Sequence, residues 1–255
     1  MYALVHEIFA DRKGGAVFAC FGTWHILYMA AIFGGIWLTV VMLRHKNEKS
    51  RQRTVNAALY LAFGLYMADI FLMPLAYGYI DIEKLPFHMC TLMCLLSFLS
   101  SRGVVFSKYR KQFALLGLVS NLIYVIYPAG VGWYQIHPLS YRVLQTLLFH
   151  GAMTAYGIFT LALGQDKLTF KSSLQEIPVI IGTTLWAILG NTLYNGMAGE
   201  YDHMFNWFFV VRDPFYILPA EIAPYIMPFV MVLVIYFGDI LVYSGYHILK
   251  KFGKK

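Results

Sequence analysis

Seven long apolar runs follow one another through this chain, at roughly 16–43, 55–79, 86–104, 112–133, 143–164, 174–196 and 222–249. Each is near the ~20 residues a helix needs to cross a hydrocarbon core. In lipid, every backbone N–H and C=O must be satisfied within the protein, which leaves helices as the reading for runs of this length. The connections are short except for 197–221, and no repeat or low-complexity linker separates them. Residues 1–255 therefore read as a single domain, all-α, a polytopic membrane bundle of seven transmembrane helices. Charged residues make up 13% of the chain, where a soluble domain carries about a quarter. Met1 to Gly15 has no apolar core and carries Glu7, Asp11, Arg12 and Lys13, so it reads as a short interfacial piece, not a cleaved leader.

The loops set an orientation. Fifteen Lys and Arg fall on one side, led by Arg44, Lys46, Lys49, Arg51 and Arg53 in the first connection and closed by Lys250, Lys251, Lys254 and Lys255. Five fall on the other: Arg12, Lys13, Lys84, Arg142 and Arg212. Basic residues stay on the cytoplasmic face, which places the N-terminus outside and the C-terminus inside. The same rule accounts for the net charge of +7 without nucleic acid. Tyr77, Tyr79, Trp133, Tyr134 and Trp207 fall at the outer boundary, as an interfacial aromatic belt would.

Polar and ionisable groups inside the spans are costly, so each is a functional candidate. At ~1.5 Å per residue, Cys90 lies roughly 6 Å in from Pro86, and His150 and His25 also fall in the outer half. Asp69 is near mid-membrane on the outer side, and Asn191 and Asn195 close the sixth span one turn apart. Groups from different helices thus share one leaflet. Cys90, Cys94, Ser97 and Ser101 lie on one helical face, a stripe that equally suits packing against a neighbour. With Pro86 as first helical residue, Cys90 falls within a turn of a helix N-terminus, where the dipole favours a thiolate. His88 is about 200° round a regular helix from Cys90, so His150, from another span, is the easier general base. Asp69 either orients a histidine or lines a cation path.

No Walker-type glycine loop, HExxH or GxSxG is present, and no spacing among His25, His88, His150, Cys90 and Cys94 selects a metal. The outer connection MAGEYDHMFNWFFVVRDPFYILPAE is too aromatic for a solvated loop and reads as a segment lying over the outer mouth of the bundle. Within it Arg212 either meets a lipid phosphate or pairs with Asp213.

Three blocks carry a resemblance: LPFHMC at 85–90, HPLSYRVLQTLLFHG at 137–151 and GNTLYNGMAGEYDHMFNWFFVVRDPF at 190–215. They resemble the signature blocks of the YwaF-type bacterial integral membrane proteins, themselves similar to a eukaryotic transmembrane acyltransferase of ether-phospholipid remodelling. That resemblance implies an all-helical multispan fold and, for the eukaryotic branch, acyl transfer between phospholipids through an acyl-cysteine; the expected location is the cell membrane. It matches the family's cysteine to Cys90, its later histidine to His150, and its asparagine block to Asn191, Asn195 and Asn206.

The expectation is a membrane-embedded phospholipid acyltransferase or acyl-thioester hydrolase that needs no cofactor and no metal. Cys90 would be the nucleophile and His150 the base, with His88 or Asn191 stabilising the oxyanion. Asn195, Asn206, Asp69, Arg212 and His25 would line the site for phospholipid and lysophospholipid. The alternative is a transporter or channel that uses the same polar groups as a pathway, with Cys90 structural. A receptor-like protein without chemistry has only the span count and an outside N-terminus in its favour.

Overall fold

The computed structural model describes residue 11 and residues 15–78, 82–104, 106–132, 135–164, 168–198 and 205–252. The side chain of Tyr77, and all of Tyr79, Trp133 and Tyr134, lie outside the described part, as do residues 199–204 of the outer connection. Seven helices of thirteen residues or more succeed one another: α1 Thr23–Leu43, α2 Glu48–Tyr77, α3 Met89–Ser101, α4 Arg110–Ile126, α5 Tyr141–Ala162, α6 Ile177–Ala198 and α7 Ala223–Phe252. Among the described residues there is no strand.

Each apolar run holds a helix, but the runs are not alike. α1, α2, α4, α6 and α7 belong to the five stretches long and apolar enough to cross a membrane. α3 has only 13 residues, about 20 Å of rise against a core of ~30 Å. It starts three residues later than Pro86 suggests, because Phe87 and His88 stay out of the helix and His88, at φ −76° and ψ 144°, is its N-cap. α2 begins where Asn47 accepts the Ser50 N–H at 2.9 Å, a side-chain oxygen satisfying one of the orphan donors of the first turn.

α5 is the axis. Thirteen of its residues are buried, among them His150, Thr154 and Gln145. It packs between α2 and α4, with α1 against its outer flank, α3 beside α2 and α4, and α7 joining α4 to α6. The α4–α5 seam is antiparallel and very close. A Cβ on Gly157 would stand 2.5 Å from the Leu118 Cβ and 3.0 Å from the Ala114 carbonyl oxygen. One turn along, Gly117 faces Met153. Without a hydrophobic drive between helices in lipid, small residues that admit such an approach are what holds a seam together.

The outer helices present their apolar side chains outward. On α7, Tyr225, Phe229, Leu233, Phe237 and Leu241 recur every fourth residue and are all exposed, as are Leu27, Trp37, Leu38 and Met42 on α1. At about 25 cal/mol per Å² of apolar surface, stripes of this extent are unfavourable in water and suited to lipid.

Candidate functional site

Cys90 is the second residue of α3 and is half-buried. Its sulfur lies against the backbone N–H groups of Cys90 and Thr91, which belong to the first turn and have no intrahelical partner. One turn deeper, Cys94 is fully buried against Tyr66, Ala114, Met153 and Tyr156, a packing position.

His88 is not where a regular helix would put it. As an extended N-cap it escapes the 200° projection, and its Nδ1 accepts the backbone N–H of Phe208 at 3.2 Å. The proton assignment follows from that partner: Nδ1 is the acceptor, so Nε2 carries the hydrogen and remains a donor.

His150 has the opposite tautomer. Its Nδ1 stands 2.7 Å from Asn121 Oδ1. The Asn121 amide is itself oriented, because its Nδ2 donates to the Gly117 carbonyl at 2.7 Å. Nδ1 of His150 therefore donates, which leaves Nε2 with a lone pair. The ring is held flat on Tyr124, with centroids 4.0 Å apart and 17° between planes. Asn121 is fully buried on α4, and the sequence reading passed it over. Its signal was an amide inside the apolar run ALLGLVSNLIYV.

These groups share one electrostatic neighbourhood. Cys90, His88 and His150 all feel the charge of Lys84, and His150 also feels His88. Lys84 is tied to Asp69 at 2.9 Å, and Asp69 also accepts from the Tyr141 hydroxyl at 3.3 Å. Asp69 is thus the counter-ion of Lys84 at the rim, not a bare carboxylate in a pathway.

The asparagine block builds a cover over this region. Asn191 donates to the carbonyls of Ala187 and Trp207 and accepts the Trp207 N–H at 3.0 Å. That engages both its amide hydrogens, so Asn191 has no donor left for an oxyanion, against the sequence expectation. Asn195 donates to the Phe205 carbonyl. Asn206 accepts from Val211 and Arg212 and donates back to the Arg212 carbonyl. Asn191 and Asn195 tie residues 205–207 to α6 and Asn206 folds the segment back on itself, so that Trp207 and Phe208 are buried at 1% and 4% exposure. Trp207 is thereby a buried anchor and not the belt residue its position suggested. Phe208 and Phe209 both take positive φ, 57° and 52°, a strained pair of turns at the point where the backbone meets His88.

Further along, Asp213 caps the same segment. The N–H of Phe215 above all, with those of Leu218 and Ile217, holds its carboxyl below the usual carboxylate range. Arg212 stacks on Tyr216 at 6.0 Å, and Asp213 faces these amides instead of Arg212. His25 is a tie between helices: Nδ1 accepts the Phe21 N–H and Nε2 donates to the Val125 carbonyl, both at 2.9 Å. Neither ring nitrogen is left for a ligand. Among the described residues no three His, Cys, Asp or Glu side chains are grouped as a metal set would require.

One glycine connects the cover to His88. A Cβ on Gly190 would clash with the Phe87 ring, which is stacked on Trp186 at 5.1 Å and tilted against Trp207 at 4.9 Å. Gly190→Ala is expected to push Phe87 aside and carry the adjoining His88 off the Phe208 N–H. The measurable result is a changed tryptophan emission and a Tm lower by several degrees, the cost of overpacking a buried site.

A family model described as TMEM164 family matches residues 20–241. The chain belongs to the TMEM164 family. The match spans Cys90, His88, His150, Asn121 and the asparagine block, and runs from just before α1 into α7. No curated protein and no solved structure matches the chain. With its five long apolar helices, this TMEM164-family member is a multi-pass membrane protein.

Proposed function

We propose that this chain is a membrane-embedded phospholipid acyltransferase, or an acyl-thioester hydrolase, acting through an acyl-cysteine at Cys90. The observation that carries the reading is a pair of histidines with opposite tautomers, His88 two residues before Cys90 and His150 under the same Lys84 charge as both. His150, oriented by Asn121, offers a lone pair at Nε2, while His88, oriented by the Phe208 N–H, offers a hydrogen at Nε2. A base and an oxyanion donor are what nucleophilic acyl transfer asks for. The resemblance of the 85–90, 137–151 and 190–215 blocks to YwaF-type proteins, themselves similar to a eukaryotic phospholipid acyltransferase, supports the same chemistry.

The steps follow. The Cys90 sulfur attacks the ester carbonyl of a phospholipid as its proton passes to His150 Nε2. The oxyanion that develops accepts from His88 Nε2–H. Collapse breaks the ester C–O bond, and His150 returns the proton to the departing lysophospholipid. The hydroxyl of a second lysophospholipid, or water, then attacks the thioester with His150 again as base, and the thiol is restored. In this reading Arg212, stacked on Tyr216 and partly exposed, would meet the lipid phosphate. No cofactor takes part in any step.

In this proposal all seven helices lie in the cell membrane, with α3 entering from the outer side and α5 shielded by its neighbours. The N-terminus is outside, as the distribution of Lys and Arg supports. The deciding experiment is lysophospholipid release by the purified protein in phospholipid vesicles. Cys90→Ser is expected to abolish release. Release at an unchanged rate by a folded Cys90→Ser protein would leave the polar-pathway reading in its place.

A further inference from the structure

A second polar cluster lies at the other end of α6. Glu176, at the start of that helix, is 15 residues from Asn191, roughly 22 Å of rise away from the cover. Glu176 and Asp239 of α7 are both fully buried, and their carboxyl groups stand at hydrogen-bonding approach to one another. Tyr243, one turn beyond Asp239, donates to Glu176 Oε1 at 2.7 Å. Glu176 Oε2 and both oxygens of Asp239 meet no donor.

An acidic pair alone would be no site. Here a fully buried carboxylate without a single donor is aimed at a second carboxyl group, and two bare anions in contact in an apolar interior are not a stable arrangement. The other groups facing the pair do not remove the conflict. Lys111 of α4 acts on Glu176 through charge, with no hydrogen bond to its Oε2. Ser172 Oγ lies 3.1 Å from the Tyr243 hydroxyl and is half-exposed, which gives the pair a polar route outward. His247, a further turn along α7, stacks on Phe170. Tyr236 bonds Ser173. Two carboxyl groups and a phenol are too few oxygens for calcium, which takes six to eight.

We infer that Glu176 and Asp239 form a buried proton-binding site, independent of Cys90, in which one proton is shared between the two carboxyl groups. The resting pair is one acid donating to one carboxylate. A proton arriving by way of Ser172 and Tyr243 converts it to two neutral acids, with the loss of one negative charge, and departure reverses the change.

Infrared spectroscopy of the full-length protein in detergent tests this directly. At neutral pH the folded wild type is expected to show a protonated carboxylic C=O band that shifts in D₂O. Glu176→Gln and Asp239→Asn should each lose that band while staying within a few degrees of the wild-type Tm, since the amide supplies the missing donor. Glu176→Ala, which leaves Asp239 bare, should lower Tm by roughly 6 °C or more. Absence of the band from folded wild type would overturn the inference, as would its persistence in both amide variants. So would a rise in wild-type Tm with Na⁺, Mg²⁺ or Ca²⁺ over an EDTA control, which would make the ligand a metal. The wild-type arms need no variant to fold, and none of the readouts depends on acyl transfer.

Discussion

Replacing His150 with alanine is expected to slow acyl-cysteine formation by about 10²–10⁴-fold, the contribution of a positioned general base. The thiol would remain, so a maleimide should still label Cys90 in the variant. Asn121 extends the test, because it acts only through His150: its Oδ1 fixes the imidazole by accepting from Nδ1 at 2.7 Å. Asn121→Ala should cost about 10–100-fold, as loss of an orienting partner typically does, and should alter the pH–rate profile because the tautomer is no longer imposed. Asn121→Asp keeps an acceptor at that place and should recover most of the rate. A merely structural asparagine would give a lower Tm in both variants and no change in the pH profile.

The second large effect is expected at Gly157. It lies two turns beyond His150 on α5, facing Ala114 and Leu118, which precede Asn121 on α4. The 121–150, 117–153 and 114–157 pairs therefore share one antiparallel seam. A methyl group at 157 would overlap Leu118 and approach the Ala114 carbonyl, where backbone cannot yield as a side-chain tip does. Gly157→Ala should destabilise by about 1–3 kcal/mol, as overpacking does. That is a Tm several degrees lower for a chain of this size. Because the helices must part along the same seam, the Asn121–His150 bond should lengthen and the acyl-transfer rate fall together with Tm. Gly182→Ala is the control: nothing lies within 4 Å of a Cβ there, so Tm should not fall.

The helices were legible because a bilayer-length apolar run has few alternatives, and each of the seven runs holds one. Their differences were not legible. Pro86 predicts a helix start, yet Phe87 is drawn into the Trp186 and Trp207 rings and His88 into the Phe208 amide, so α3 is shorter than its run. α5 is long enough to span but is not among the five long apolar stretches, and its polar face is buried because protein surrounds it. At the candidate site, composition and spacing could bring Cys90 and His150 to one leaflet. They could not assign Asn191 and Asn206 to backbone clamping, nor His25 to two main-chain partners, because those partners lie 4 to 100 residues away along the chain. Asp69 could be ranked as a costly buried charge, and only the fold supplies Lys84 as its counter-ion.

Intact-protein mass after incubation with an alkyne-tagged phospholipid, wild type beside Cys90→Ala, tests the central claim most directly. The account predicts a hydroxylamine-labile acyl adduct on wild type that is absent from Cys90→Ala. No adduct on folded wild type, or an adduct of equal yield on Cys90→Ala, would contradict it.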